Sequence, residues 1–267
     1  MVIAGGMTLA FTAVATQPLL PMLGNILDSA GIGPPTLRDT YILGSTLPAL
    51  PNQFWLLMTW IGMAGSALII ATLTVFAKQL IAGLRFGKTN FETISAVFLL
   101  LCAASYLFPI FTSQVFDRYL VPVIPLLMLG ILSFFTGTEA PYGRLCLYSG
   151  RALLLAVAFF SIGTTRDYLT WNRVRWQALT ELTQVEQVAG KDIDGGFEFN
   201  GWKFYDPAYA RVPDKSWWWV HGDTYLITFH SALGYNTVKE YPYSHWLPPY
   251  AGNILVLKKN GSDITNP

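Results

Sequence analysis

The sequence predicts an α-helical multispan membrane region followed by a small α+β domain outside the cytoplasm. The 267 residues are 52% hydrophobic and only 12% charged, whereas soluble domains carry about 25% charged residues. The charges are also unevenly distributed, with 12 in residues 1–163 and 21 in residues 164–267. We therefore expect about five transmembrane helices in 1–163 and a water-exposed domain in 164–267.

Five segments are predicted to span the bilayer, because a spanning helix needs about 20 apolar residues. They are 2–23, 54–77, 91–111, 119–135 and 145–163. The first segment has a second interpretation as a signal peptide, since Ala13-Val14-Ala15 resembles a cleavage site. No Lys or Arg precedes its apolar run, so a span in a C-terminal portion of a longer protein is the favoured interpretation.

Basic residues set the predicted orientation of these spans. The loops between spans two and three and between spans four and five carry Lys78, Arg85, Lys88, Arg144 and Arg151, and the opposite loops carry only Arg38 and Arg118. By the positive-inside rule the first group faces the cytoplasm. The domain 164–267 is then predicted to lie outside it, with the bacterial inner membrane as the expected location.

The domain 164–267 is predicted to begin with an amphipathic helix over 170–188 that stops at Gly190. Short β-like runs follow at 196–205, 217–220, 224–229 and 253–257. Seven of the nine tryptophans lie in this domain, including the run Trp217-Trp218-Trp219. These three rings form either packing contacts, with at least one ring buried by strand alternation, or a stacking face for sugars.

Two pairs of residues outside this domain are candidate contacts for lipid. Arg118, with Tyr119 beside it at the mouth of a span, fits a lipid phosphate because a guanidinium pairs phosphate oxygens bidentately. The alternative is an interfacial ion pair between Arg118 and Asp117. Arg38 and Asp39 are candidate head-group contacts, although a solvated ion pair is the favoured interpretation.

A polar, glycine-containing segment at 194–202 supplies candidate acceptor or sugar contacts. They are Glu198, Asn200 and Trp202, together with Trp217, Trp218 and Trp219. The favoured alternative makes Gly195-Gly196 a simple turn before a strand. The three histidines lack the spacing of a helical zinc site, so no metal is expected. The net charge of +1 without a basic cluster excludes nucleic acid as a partner.

Residues 116–122, which read Phe-Asp-Arg-Tyr-Leu-Val-Pro and are followed by Pro125, resemble a motif of a known family. This is the late Arg-Tyr-Leu-x-Pro motif of polytopic glycosyltransferases with the C-type membrane fold, which are relatives of protein mannosyltransferases and lipid A aminoarabinose transferases. The resemblance covers roughly residues 30–258. It implies a polyprenyl-phosphate sugar as donor, carrier-phosphate binding by Arg118 and Tyr119, a membrane-lipid environment and no further cofactor.

The sequence departs from that family in one respect. The family's acidic catalytic residue lies in the first outside loop, whereas no Asp-Asp or Asp-Glu pair occurs in an outside loop of residues 1–163. The resemblance therefore implies one of two alternatives. The chain is either a C-terminal portion of a split or truncated enzyme, for which an N-terminal partner chain could supply the acidic residue, or a relative that has lost catalysis. The alternative function is a membrane-anchored, non-catalytic glycan-binding or accessory subunit.

Overall fold

The computed structural model describes residues 26–85, 91–111, 116–135, 144–213, 215–216 and 218–261. The helices are α1 (Arg38–Tyr41), α2 (Asn52–Arg85), α3 (Phe91–Phe111), α4 (Val123–Phe135), α5 (Arg144–Thr180) and α6 (Phe197–Phe204). The strands are β1 (Leu27–Asp28), β2 (Gly31–Ile32), β3 (Ile193–Asp194), β4 (Tyr225–Thr228), β5 (Tyr235–Trp246) and β6 (Pro249–Lys259). The predicted first span, 2–23, lies outside the described residues.

As far as it is described, the chain forms two compact units. The first consists of Met1–Ser29 and Pro51–Ala152, and the second of Ala30–Leu50 and Leu153–Pro267. The second unit thus includes residues that precede α2 in sequence. Leu37 from this early segment is fully buried in the core of the second unit.

The predicted multispan helical region is wrong. Within the described residues, two helical segments are long and apolar enough to cross a membrane, Asn52–Lys78 and Leu147–Val185. The apolar part of α3, Thr93–Pro109, is shorter. The expected span at 119–135 divides at Pro122 into a 3-10 turn, Asp117–Leu120, and α4. With 13 residues, α4 is about 20 Å long, against a hydrocarbon core of about 30 Å.

The second unit contains a four-stranded mixed sheet with the order β3-β4-β6-β5. Strand β3 pairs with β4 in parallel, while β4 and β5 each pair antiparallel with β6. The buried face of β5 is formed by Tyr241, Tyr243 and His245, which alternate with exposed residues. Pro242 fits into this strand because β5 is at the edge of the sheet.

Several predicted elements of the second unit need correction. The run 196–205 was expected to be a strand, yet Phe197–Phe204 is helix α6, so Gly195-Gly196 connects strand β3 to a helix. The helix expected over 170–188 is the end of α5 with a π turn, Glu181–Val185. The chain leaves this turn through Gln187, whose φ is +57°, before Gly190 is reached. Residues 224–229 and 253–257 were correctly predicted as strands.

Candidate functional site

Arg118 lies exposed in the 3-10 turn that precedes α4. Its guanidinium carbon lies 4.6 Å from the ring centre of Phe116 and 5.5 Å from that of Tyr119. The two rings meet edge to face, with their centres 5.6 Å apart. Because the rings contact the flat guanidinium, its N–H groups, which lie in its plane, can still point toward an anion.

The neighbouring carboxylate of Asp117 binds main-chain amides. Its Oδ1 accepts hydrogen bonds from the backbone N–H groups of Ile26 at 2.9 Å and Arg118 at 2.7 Å. Its Oδ2 accepts one from the N–H of Leu27 at 2.7 Å. These charge-assisted hydrogen bonds fix the turn to residues 26 and 27 and orient the carboxylate toward the backbone.

In the second unit, Glu198 of α6 is held by a buried arginine. Arg175 of α5 is fully buried, and its Nη1 lies 2.6 Å from Oε2 of Glu198. Thr36 donates to the same oxygen at 3.0 Å, and the Tyr168 hydroxyl lies 3.4 Å from Oε1. The Glu198 side chain is still 26% exposed. The carboxylate therefore has a fixed orientation and remains accessible to a ligand.

Arg175 also contacts two indole rings. Its guanidinium carbon lies 5.5 Å from the ring centre of Trp171 and 5.4 Å from that of Trp176. Its buried Nε and Nη2 atoms have no hydrogen-bond partner among the described residues. A buried charge with unsatisfied hydrogen bonds is costly. The ion pair with Glu198 and the cation–π contacts offset part of this cost.

The buried carboxylate of Asp194 positions α6. Its Oδ1 accepts hydrogen bonds from the N–H of Gly196 and the side-chain nitrogens of Asn200 and Trp218, at 3.3, 3.0 and 3.1 Å. Its Oδ2 accepts one from the hydroxyl of Ser216 at 2.7 Å. Asn200 and Trp218 are fully buried. A ligand in solvent does not reach these two side chains, so they are not available as sugar contacts.

An aromatic surface lies beside Glu198, and we call it the aromatic face. It consists of two groups of rings in contact, Trp176 with Trp202 and Trp219 with Phe197 and Tyr205. Trp202 is 82% exposed, follows Glu198 by one helical turn and lies 5.9 Å from Trp176 between ring centres. Trp219 lies 5.9 Å from Phe197 and 5.0 Å from Tyr205. Trp217 lies outside the described residues.

The chemistry of this arrangement fits a sugar. The electron-rich faces of aromatic rings attract the weakly positive C–H groups on one side of a sugar ring. An ionised carboxylate accepts hydrogen bonds from sugar hydroxyl groups. Glu198 and Trp202, which are one helical turn apart on α6, provide these two features on one surface.

Arg38 and Asp39 are buried, so the prediction of a solvated ion pair is wrong. Arg38 Nη1 lies 3.2 Å from Oδ2 of Asp223. Asp39 Oδ2 accepts hydrogen bonds from the backbone N–H groups of Phe229 and His230, at 3.0 and 2.9 Å. Burial raises the pKa of Asp39, against the opposing effect of its hydrogen bonds with His230. These contacts join the early segment to the sheet, and a lipid head group would have to displace them.

No family model, no curated protein and no solved structure matches this chain. The described residues also contain no group of three or more His, Cys, Asp or Glu side chains able to hold a metal ion. A functional assignment therefore depends on the geometry of the Arg118 turn in the first unit and of Glu198 with the aromatic face in the second.

Arg175 was not predicted as a site residue, although the sequence contains a signal for it. Arg175 lies four residues after Trp171 and four before Leu179, both of which are buried on the same face of α5. Residues at this spacing share one side of a helix. A charged residue within an apolar helical face predicts a buried ion pair, and Glu198 supplies its partner.

Proposed function

We propose that this chain forms the C-terminal portion of an inverting membrane glycosyltransferase that uses a polyprenyl-phosphate sugar. Arg118 and Tyr119 bind the phosphate of the carrier. The observation that supports this role is the exposed Arg118, whose guanidinium lies against two aromatic rings, while Asp117 accepts hydrogen bonds from backbone amides.

The proposed role of Arg118 follows from the charge changes during transfer. An acceptor oxygen forms a bond to the anomeric carbon, and the bond from that carbon to the carrier phosphate breaks. The electron pair of the broken bond stays on the phosphate, so negative charge accumulates there. A fixed guanidinium stabilises that charge in the transition state. The acceptor proton passes to a carboxylate, which in this proposal belongs to an N-terminal partner chain.

The second unit is placed outside the cytoplasm in this proposal. The second unit contains both Ala30–Leu50 and residues 164–261. Two candidate membrane-spanning segments lie between these parts in sequence, Asn52–Lys78 and the apolar start of Leu147–Val185. An even number of crossings between these two parts keeps both on the same side of the membrane. Lys78 and Arg144 flank the connected ends of these two helices, which favours the cytoplasm for those ends. A bacterial inner membrane fits this arrangement.

The test is binding of polyprenyl phosphate to the full-length chain in detergent, measured by native mass spectrometry and thermal shift. Charge-assisted hydrogen bonds contribute about 1.5 to 3 kcal/mol each, so losing two in Arg118→Ala should weaken binding roughly a hundredfold or more. Arg118→Lys should restore part of the affinity, since the charge remains without the planar fork. The exposed Arg144→Ala is the control and should bind normally. Unchanged affinity in Arg118→Ala would refute the assignment.

A second candidate function is glycan binding without catalysis, and the aromatic face favours it. We expect soluble oligosaccharides to bind the full-length chain in calorimetric titration and to lose affinity with Trp202→Ala or Glu198→Gln. Trp246→Ala, which removes an exposed tryptophan away from α6, is the matched control. If Trp202→Ala impairs glycan binding while polyprenyl-phosphate binding is absent, the accessory function is favoured over the transferase.

A further inference from the structure

The apolar surface of α5 in the second unit ends at Ile162. Its exposed large apolar residues up to that point are Leu153, Leu154, Leu155, Val157, Phe159 and Ile162. Gly163 and Thr164 are then buried, and Arg166 and Asp167 are the first charged residues that follow. Because the exposed apolar surface of a spanning helix ends where the hydrocarbon ends, residues 163–166 mark the membrane surface.

The loop between β5 and β6 is attached at this level of α5. We call residues 246–250, Trp-Leu-Pro-Pro-Tyr, the hairpin tip. The carboxylate of Asp167 accepts hydrogen bonds from the backbone N–H groups of Trp246 at 2.9 Å and Leu247 at 2.8 Å. Arg166 Nη1 donates to the carbonyl oxygen of Ser244 at 2.7 Å. Two adjacent residues of α5 thus hold the hairpin.

Gly163 brings the hairpin tip against the helix. A Cβ atom at this position would lie 2.7 Å from Cδ1 of Leu247, so only glycine permits the contact as it stands. Leu247 therefore packs at the point where the apolar surface of α5 ends. The hairpin tip therefore contacts α5 at the residues where the membrane surface is expected.

The composition of the hairpin tip fits that location. Its five residues carry no charge, and Trp246 is 51% exposed. The guanidinium carbon of Arg166 lies 4.7 Å from the ring centre of Trp246, and the Arg166 side chain is 31% exposed. Tryptophan is enriched at membrane interfaces because its ring is apolar and its N–H is polar. An adjacent arginine attracts anionic lipid phosphates.

We propose that the hairpin tip inserts into the phospholipid head-group layer of the membrane that α5 crosses. Trp246 lies among the head groups, and Arg166 faces lipid phosphate. The bilayer thereby fixes the second unit at two points, the helix and the hairpin. This inference depends on α5 crossing the membrane and is independent of the proposed enzymatic function.

The test uses the full-length chain with Cys102 and Cys146 replaced by alanine, reconstituted into vesicles that contain anionic phospholipid. A single cysteine with an environment-sensitive fluorophore is introduced as Trp246→Cys, Leu155→Cys or Leu233→Cys. Leu155 is 72% exposed within the apolar part of α5, and Leu233 is fully exposed before the far end of β5. At about 3.3 Å per residue, the length of β5 separates Leu233 from the tip by roughly 35 Å.

Quenching by spin-labelled lipid reports membrane contact at each position. We expect strong quenching at position 155 and none at position 233. At position 246 we expect about half the quenching seen at 155 or more, because the interface lies roughly 15 Å from the bilayer centre. Quenching at 155 with a solvent-like label at 246 would overturn the proposal, as would quenching at all three positions. The absence of quenching at 155 would also overturn it, since α5 would then not cross the bilayer.

A second measurement without a label tests whether the cysteine substitution itself changes the position of the hairpin. Tryptophan fluorescence of the otherwise unmodified chain is quenched with brominated lipid and compared with that of Trp246→Phe. Loss of a lipid-quenched component in Trp246→Phe supports insertion of the hairpin tip. Identical lipid quenching in the two proteins refutes it.

Discussion

Two halves of α5 within the second unit have opposite surfaces. Along 153–162 the large apolar side chains are exposed, with Leu155 72% accessible. Along 164–180 the charged Asp167 and Arg175 are buried, at 2% and 0% exposure. One continuous helix therefore presents leucine outward in its first half and encloses charge in its second.

This difference is what the proposed membrane crossing of α5 predicts, with a different environment for each half. Exposed leucines are favourable only where the surroundings are themselves apolar, as in a bilayer. The second half instead lies against the sheet and α6, where the buried charges have specific partners. The mean hydropathy of the whole helix does not reveal the change from exposed apolar to buried charged side chains, which begins at Gly163.

The largest effect is expected for Arg175→Ala in the second half. Breaking a buried ion pair by removing one partner destabilises a protein by about 3 to 5 kcal/mol, and the contacts with Trp171 and Trp176 would also be lost. The measurement is chemical unfolding of the full-length chain, followed by tryptophan fluorescence. Arg173→Ala, an exposed arginine on the same helix, is the control. Equal stabilities of the two variants would contradict the structural role of Arg175.

A somewhat smaller effect is expected for Leu155→Arg in the first half. Placing arginine near the centre of a membrane-spanning helix costs about 2.5 to 3.5 kcal/mol of insertion free energy. Insertion into microsomes is scored by glycosylation of an added acceptor site. Leu169→Arg is the matched control, because Leu169 is half exposed in the second half of the same helix. Equal loss of insertion in both variants would show that the two halves share one environment.

The smallest effect concerns His245, which lies beside Asp167 on the buried face of β5. Burial lowers the pKa of His245 below its ordinary value of 6.5, with a contribution from Arg166 and an opposing one from Asp167. The unfolded chain therefore binds a proton that the folded chain does not, and stability falls as the pH drops below about 6.5. One such group changes the unfolding free energy by at most about 1.4 kcal/mol per pH unit.

We expect His245→Phe to reduce this pH dependence while keeping the ring contact with Tyr250, whose centre lies 4.4 Å away. The measurement is the unfolding free energy of the full-length chain at pH 7 and at pH values below 6.5. His221→Gln, at an exposed histidine, is the control. An unchanged pH slope in His245→Phe would show that His245 is not responsible.

Local patterns predicted the elements whose contacts are local. The boundaries of α3 were predicted from a continuous apolar run, and β4 and β6 from β-branched and aromatic residues between turns. Hydrophobic periodicity carries this information because burial repeats with the period of the element. Of the three adjacent tryptophans, Trp218 is fully buried. The strand predicted at 217–220 is nevertheless wrong, because Trp218 and Trp219 lie in a turn, so strand alternation is not the cause of this burial.

The remaining features depend on contacts between distant residues. The start of α6 depends on Asp194 binding Asn200, Ser216 and Trp218, which no local pattern around Phe197 reveals. Strand β5 was not predicted, because it begins with polar residues and only its second half shows the alternation of buried Tyr241, Tyr243 and His245. Glu198 and Trp202 were predicted as candidate contacts, whereas Arg175 was not, although its spacing from Trp171 and Leu179 indicates a buried position.

The placement of Ala30–Leu50 has a consequence for the timing of biogenesis. Asp39 binds the N–H groups of Phe229 and His230, which are 190 and 191 residues later in the chain. At about 5 to 20 residues per second, the ribosome needs roughly 10 to 40 s to synthesise them. During that interval Leu37 has no core in which to pack. A chain terminated before β6 would keep this early segment exposed to chaperones and proteases. The second unit can therefore fold only after its last strand has been synthesised.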